Sequence, residues 1–246
     1  MGKAKKDKPP KPTVFYIGIC AVLLIAGYWL ALALRAGFAG DGLPVKAAGA
    51  LVDLYRYDAQ GEALSQGVGV LTLDAGVIVT GSQMLDQTYY MYAAANSGEL
   101  FAVNTVAAWD DGYDVAILRS SDLYLREDAA LSPLPTANNK RTAAGDRFTL
   151  LCPDGGGTLE ISYPQIEEKV AADKKWPLFR LSGETPEGFG VLLDKQGRVA
   201  GWLSPSLSQQ EKAAIGVDIG IAKAMYAGRN CYEEMTLAEF QKRHSP

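Results

Sequence analysis

Histidine and cysteine are scarce in this chain of 246 residues, which contains one histidine and three cysteines. Zinc sites are built mainly from these two residue types, so their scarcity argues against a zinc site. The acidic run "DDGYD" at 110–114 lacks the ligand spacing of a calcium loop and is expected to be a solvated turn. The sequence therefore predicts no metal ion and no cofactor.

Clustered basic charge is absent from all but the first twelve residues. Residues 1–12 contain five lysines and one aspartate, so this tail contributes +4 to a formal net charge of −4, and the remaining residues carry −8. Nucleic-acid binding needs clustered lysine and arginine side chains to contact phosphates. The main part of the chain is therefore not predicted to bind nucleic acid.

Charged residues are also absent from the run 14–34, which is 21 residues long. A helix of that length spans about 30 Å, the thickness of the hydrocarbon core of a bilayer, and it exceeds the apolar region of a signal peptide. The lysines before the run place the N-terminus in the cytoplasm. We predict a single-pass anchor in a bacterial inner membrane, with the main domain in the periplasm. Cleavage near Ala36–Gly40 is the alternative.

The chain divides into five segments by composition. Within the apolar segment, Gly27 and Ala31 form a small-xxx-small pair that can pack against another helix, although such pairs are common in single spans. The predicted segments are a cytoplasmic basic tail at 1–12, a transmembrane helix at 13–35, a linker at 36–46, a folded domain at 47–228 and a C-terminal tail at 229–246.

Short β-prone runs separated by turn signals begin at residue 49. Asp74-Ala75-Gly76 and Asn96-Ser97-Gly98 each lie between two such runs and predict β-hairpins. Residues 120–145 are polar and contain proline, which predicts a connector between two halves. The run 215–228 predicts a last strand followed by a short helix. The pattern predicts an all-β barrel or sandwich.

The three cysteines differ in their surroundings. Cys20 lies within the predicted span, where it is expected to be a small apolar packing residue. Cys152 and Cys231 lie in the part predicted to be exported, in an oxidising compartment. Two interpretations stay open for this pair: a disulfide between them, or two separate buried thiols.

Five stretches of the predicted domain carry a family resemblance. They are "GVGVLTLDAGVIVTGSQML", "WDDGYDVAILR", "GDRFTLLCPDGGGTLEISYPQIEE", "TPEGFGVLLDKQGRVAGWLS" and "IGVDIGIAKAM". Together, and in this order, they resemble the trypsin-like serine peptidases, in the bacterial high-temperature-requirement (Deg-type) branch. The resemblance covers roughly residues 47–228 and implies two perpendicular six-stranded barrels with a cleft between them. The fold class is therefore expected to be an all-β, trypsin-like double barrel.

The resemblance also implies where a catalytic triad would lie. The histidine position falls on Gln83, the aspartate position on Asp114 and the serine position on Gly188. A primary amide is not a general base near neutral pH, and glycine offers no nucleophile. The oxyanion donor expected two residues before the serine falls on Pro186, which has no N–H. We therefore predict that the protein has no peptidase activity.

A shifted alignment does not restore a base. Ser82 and Ser182 lie near the expected positions, but the only histidine is His244, in a polar tail where a solvated side chain is expected. Two interpretations stay open for Gln83 and Asp114: a hydrogen bond from the amide to the carboxylate, which would keep the old geometry as a structural strut, or two unrelated surface groups.

Two classes of function are consistent with these residues. The first is a membrane-anchored pseudoprotease that acts as a protein-binding scaffold or accessory subunit of an inner-membrane or envelope complex. Its former substrate cleft, or a sheet edge near it, would accept an extended segment of a partner by strand addition. The alternative is a divergent serine peptidase or a regulator of an active Deg-type protease. The branch usually carries a PDZ domain, and we expect none here.

Overall fold

The computed structural model describes most of the predicted folded domain and part of the C-terminal tail. The described residues are 47–95, 98–124, 132–153, 159–170, 176–183, 185–186, 188–228 and 234–244. The predicted basic tail, span and linker lie outside them, as do Gly27, Ala31, Cys20 and Cys231. Within the described ranges, no helix is long and apolar enough to cross a bilayer.

The first sheet contains eight antiparallel strands. In chain order they are β1 (Leu51–Tyr57), β2 (Gly67–Leu71), β3 (Val77–Thr80), β4 (Tyr90–Ala94), β5 (Leu100–Ala102), β6 (Thr105–Asp110), β7 (Val115–Arg119) and β15 (Met235–Thr236). Their spatial order is β15-β6-β7-β3-β2-β1-β4-β5. Only Val103 and Asn104 separate β5 from β6. Because these two strands lie near opposite ends of the order, the short link requires the sheet to curl.

The second sheet contains seven antiparallel strands. They are β8 (Thr149–Pro153), β9 (Leu159–Ser162), β10 (Gln165–Val170), β11 (Leu178–Ser182), β12 (Gly190–Leu193), β13 (Val199–Leu203) and β14 (Ala214–Asp218). Their spatial order is β10-β11-β14-β13-β12-β8-β9. Only Tyr163 and Pro164 separate β9 from β10, so the two end strands are joined directly and this sheet also curls.

Helices are short and lie at the ends of strands. Ser204 caps one of them with its hydroxyl and is followed by Pro205 at the first helical position, a strong helix start. Asp218 caps another by accepting from the N–H of Gly220 at 2.6 Å. In the described part of the chain, the α-helices are α1 (Ser121–Tyr124), α2 (Pro205–Glu211), α3 (Ile219–Ala227) and α4 (Leu237–His244).

The inner strands are buried on both faces because the two sheets pack against each other. In β3, Val77 and Val79 belong to a core shared by both sheets, whereas Ile78 lies in the interior of the first sheet. β12 shows the same alternation, with Leu192 in the interior of the second sheet. A strand buried on both faces reads as a continuous apolar run, as these two strands do.

The predicted all-β double barrel is confirmed. The predicted hairpin at 74–76 joins β2 to β3, and β4 pairs with β5 as the second hairpin requires. Asn96 and Ser97 of that second turn lie outside the described residues. The predicted last strand and short helix correspond to β14 and α3. The predicted connector also contacts both sheets, because Leu134 bridges to Thr72 and Thr136 bridges to Val199.

The C-terminal residues pack onto the first sheet. β15 pairs with β6, and the ring centroids of Phe240 and His244 lie 4.9 and 4.7 Å from that of Trp109. The side-chain amide of Gln241 donates a hydrogen bond to the carbonyl of Leu85. His244 was expected to be a solvated tail residue. It is exposed, but it also lies against an aromatic ring of the first sheet.

Candidate functional site

Asp114 joins the two sheets through its buried carboxylate. Its Oδ1 accepts from the backbone N–H of Ser82 at 2.9 Å, and its Oδ2 accepts from the hydroxyl of Ser204 at 2.6 Å. Ser82 follows β3 of the first sheet, whereas Ser204 follows β13 of the second. The indole N–H of Trp202 also donates to the Asp114 carbonyl at 3.1 Å. Asp114 of the first sheet therefore accepts hydrogen bonds from residues of both sheets.

The prediction of a hydrogen bond from the Gln83 amide to Asp114 is wrong. The backbone N–H of Ser82 occupies the carboxylate oxygen instead, and the side chain of Gln83 is exposed. The carbonyl of Gln83 accepts from Arg56 Nη1 at 3.2 Å, and the carbonyl of Asp86 accepts from Arg56 Nη2 at 3.2 Å. Burial lowers the pKa of Arg56, and the charge of Asp86 opposes this. The buried guanidinium thus holds both ends of the turn that carries Gln83.

Gln83 and Gly188 line one cavity, which we call the central cleft. Its volume is about 360 Å³. Residues that border it include Asp53, Arg56, Gln83, Gly188, Phe189 and Pro205. Burial raises the pKa of Asp53. The structure therefore places on one cavity the two positions that the family resemblance equated with a histidine and a serine, and Asp114 binds Ser82, the residue before Gln83.

Gly188 has a backbone conformation that disfavours a side chain. Its φ is +112°, and a Cβ added there would lie 4.0 Å from the sulfur of Cys152. Space is therefore available, but L-residues rarely adopt this φ. Pro186 and Gly188 also line an adjacent cavity of about 460 Å³.

Cys152 is buried and lies next to the central cleft. Its Sγ donates to the carbonyl of Phe189 at 3.3 Å. Burial, with a smaller contribution from the charge of Glu160, raises the pKa of Cys152 to about 11. A thiol with this pKa is protonated near neutral pH and is a poor nucleophile. The predicted partner Cys231 lies outside the described residues, so a disulfide stays a prediction.

The two serines near the triad positions have structural partners. Ser82 Oγ lies 3.5 Å from Asp114 Oδ1, and Ser182 Oγ donates to the carbonyl of Gln165 at 3.3 Å within the second sheet. The chain's one histidine lies on α4 against Trp109. Neither serine is therefore paired with an imidazole base.

Comparisons with known proteins support the fold. No protein-family model matches the sequence, and no curated protein sequence resembles it. The crystal structure of the Rv3671c protease from M. tuberculosis, in its active form, is similar with a TM-score of 0.58. The match covers 75% of this chain and 82% of that chain, at 18% sequence identity.

The fold is trypsin-like. At this level of identity the likeness concerns the arrangement of the chain, and the chemistry follows from the residues of the cleft. The positions that the resemblance equates with the histidine and the serine carry an exposed amide and a glycine on the cleft surface, and the position that it equates with the aspartate carries Asp114.

The segment that follows β13 offers no free strand edge to a peptide. Leu203 is already paired with Gly190 on one side and Gly216 on the other. The chain then enters α2 at Pro205, which has no N–H. Strand addition requires a free extended edge. This segment is therefore not available for strand addition, and addition at another sheet edge near the cleft stays a prediction.

Sequence reasoning missed three residues of the site. Ser204 and Trp202 bind Asp114, and Arg56 holds the turn at Gln83. The sequence contains a pattern that could have indicated two of these residues. The pair Ser204-Pro205 is a typical helix start, and Arg56 shares the inward register of Leu54 in β1, which marks a buried charge.

Proposed function

We propose that this protein is a non-catalytic, membrane-anchored pseudoprotease that binds another protein, as a scaffold or accessory subunit of an inner-membrane or envelope complex. The observation that carries the proposal is the pair Gln83 and Gly188 on one cleft, with Asp114 retained in a structural role. A cleft with an amide in place of a base and a glycine in place of a nucleophile can bind a polypeptide without cleaving it.

The apolar run 14–34 and the lysines before it support the rest of the proposal. They favour an anchor with the trypsin-like domain on the periplasmic side. A linker of 11 residues at 36–46 would keep the domain within about 40 Å of the bilayer. Partners are therefore expected among membrane and periplasmic proteins.

An aromatic surface on the first sheet supports protein binding. Tyr55 lies opposite Tyr92 across β1 and β4, and Tyr57 lies opposite Tyr90. Tyr90, Tyr92 and Leu100 are 54%, 41% and 58% exposed. Tyrosine is enriched in protein interfaces because it offers a large, rigid contact area with a polar tip. We call these four tyrosines and Leu100 the tyrosine face and propose that it contributes to partner binding.

A native pull-down with matched variants tests the proposal. The full chain would be tagged at the C-terminus and purified from membranes in mild detergent, and stoichiometric proteins would be identified by mass spectrometry. Gln83→Trp would obstruct the central cleft, and Tyr90→Ser with Tyr92→Ser would remove the tyrosine face. Lys195→Trp, in the exposed turn between β12 and β13, is the control for an added indole.

We expect a defined set of partners that survives Lys195→Trp and is lost with the cleft variant, the tyrosine variant or both. If no protein co-purifies with the full chain, the scaffold proposal is overturned. Casein hydrolysis above background that disappears in Ser82→Ala or Ser182→Ala would instead support the divergent peptidase.

A further inference from the structure

A separate cavity lies in the second sheet, away from the residues of the central cleft. Its volume is about 470 Å³, within the range of small-molecule pockets. It lies between the turn at Asn139–Arg141, β10 and the start of α3. We call it the lysine pocket. Its lining includes Lys140, Lys169, Trp176, Asp218, Lys223 and Ala224. None of its lining residues borders the central cleft.

The lysine pocket concentrates positive charge in an acidic domain. Among the described residues, three lysines and one aspartate line it, whereas residues 13–246 together carry −8. In the described part of the chain, none of the three ammonium groups forms an ion pair within 4.0 Å. Asp218 is already engaged, because it accepts from the N–H of Gly220 at 2.6 Å. The lysines are thus available to an external anion.

The walls of the lysine pocket are held in place before any ligand binds. The backbone N–H of Trp176 donates to the Tyr113 hydroxyl at 3.2 Å. Its indole packs against Gly220, where an added Cβ would lie only 3.2 Å from the ring. Lys169 Nζ lies 3.5 Å from the backbone carbonyl oxygen of Asn139. The side-chain amide of Asn139 donates to another backbone carbonyl. A preorganised pocket loses little side-chain entropy on binding.

We propose that the lysine pocket binds a small organic carboxylate with an aromatic or aliphatic body. The carboxylate would lie among Lys140, Lys169 and Lys223, where charge-assisted hydrogen bonds are strongest. The apolar body would lie against the indole of Trp176 and the methyl group of Ala224. This site is separate from the partner-binding surfaces proposed above and does not depend on them.

Equilibrium binding to the full chain tests this proposal. The protein would be placed in nanodiscs of zwitterionic lipid and dialysed against naphthalene-2-carboxylate, with empty nanodiscs as the blank. Naphthalene-2-carboxamide, which has the same apolar body without the charge, is the matched ligand control. Lys140→Gln with Lys223→Gln removes two exposed cations, and Ala224→Phe fills the pocket. Lys242→Gln, on the exposed side of α4, is the protein control.

We expect saturable binding of the carboxylate at least about tenfold tighter than that of the carboxamide. The double lysine variant should remove most of this difference, Ala224→Phe should weaken both ligands, and Lys242→Gln should change neither. Equal affinity for the two ligands, or no saturable binding to the wild-type chain, overturns the proposal. Unchanged binding in Ala224→Phe, with an unchanged melting temperature, places any ligand elsewhere and also overturns it.

Discussion

At the scale of single residues, the backbone at position 188 favours glycine. The φ of +112° is readily adopted by glycine and strained for any other residue. Pro186, two residues earlier, has no N–H and cannot serve as an oxyanion donor. We therefore expect that a base and a nucleophile placed at positions 83 and 188 would not be sufficient for acyl transfer.

We predict that Gly188→Ser lowers the free energy of unfolding by about 1–3 kcal/mol through backbone strain. Combined with Gln83→His, it should give no casein hydrolysis above background. Chemical denaturation and a fluorogenic casein assay measure the two outcomes. Gly188→Ala should show the same destabilisation, and Ala213→Ser, which adds a hydroxyl beside the adjacent cavity without positive φ, should show little. Hydrolysis by the double variant would contradict this account.

Cys152 should resist alkylation in the folded protein. A pKa of about 11 leaves about one thiol in a thousand ionised at pH 8, and burial adds a steric barrier. Iodoacetamide labelling followed by peptide mass spectrometry should find the Cys152 peptide unmodified in native buffer and modified in guanidinium. Rapid native labelling would show that the thiol is exposed or activated. Failure to label after unfolding without reductant would indicate a disulfide.

At the scale of elements, α4 stabilises the first sheet by packing against it. Phe240 is buried and meets Trp109 edge to face at 4.9 Å, and β15 extends the sheet beyond β6. Packing of an amphipathic face, and not intrinsic propensity, stabilises a helix this short.

Phe240→Ala should therefore lower the free energy of unfolding by about 2–4 kcal/mol, because it leaves a cavity beside Trp109. Urea denaturation followed by tryptophan fluorescence would measure this. Amide exchange at Thr105 and Val106, which pair with β15, should accelerate. Lys242→Ala on the exposed side of the same helix is the control and should change stability by less than about 0.5 kcal/mol. Equal effects of the two substitutions would show that α4 does not stabilise the sheet.

The cap of α3 should make stability depend on pH. Burial raises the pKa of Asp218 above its ordinary 3.8 and outweighs the N–H of Gly220, Asn139 and the charges of Lys169 and Lys223. At a pH between the pKa of Asp218 in the unfolded chain and its higher pKa in the folded protein, the folded state binds more protons than the unfolded state. The contribution of Asp218 to stability therefore falls as pH rises from about 4 and stays low above the folded pKa.

Asp218→Asn should remove this decline while the amide oxygen still caps the helix. Denaturation of both proteins between pH 3.5 and 7 would show the variant gaining stability relative to the wild type as pH rises. Titratable groups that both proteins share, including Asp53, contribute equally to the two stabilities, so their contributions cancel in that difference. Parallel pH profiles would contradict the predicted shift.

At the scale of the whole molecule, Asp114 is a buried polar link between two barrels that also share an apolar core. An asparagine tolerates the left-handed φ of 48° at this position, so Asp114→Asn isolates the loss of the carboxylate. One of the two donors, Ser82 N–H or Ser204 Oγ, would then face an amide NH₂ group.

We expect Asp114→Asn to lower the free energy of unfolding by about 1.5–3 kcal/mol, the effect of losing a buried hydrogen bond to a charged group. Guanidinium denaturation monitored by tryptophan fluorescence, which includes the buried Trp202, would measure it. Asp111→Asn in the exposed part of the same turn should have little effect. A wild-type stability in Asp114→Asn would show that the carboxylate is not needed to join the barrels.

Local patterns predicted much of this protein. Alternating and continuous apolar runs predict the strands, the turn at 74–76 predicts its hairpin, and the positions of Gln83 and Gly188 predict a cleft without catalytic side chains. These features depend on period, turn chemistry and residue type, which are properties of neighbouring residues.

Tertiary structure decided what depends on distant residues. The carboxylate of Asp114 accepts from the backbone N–H of Ser82 and from the hydroxyl of Ser204, which lies 90 residues away in the sequence. The fold therefore places these two donors, and not the Gln83 amide, at the carboxylate. The lysine pocket likewise assembles side chains from β10, a loop and α3. Hydrogen-bond partners and pockets are set by how sheets curl and pack in three dimensions, which local sequence alone does not specify.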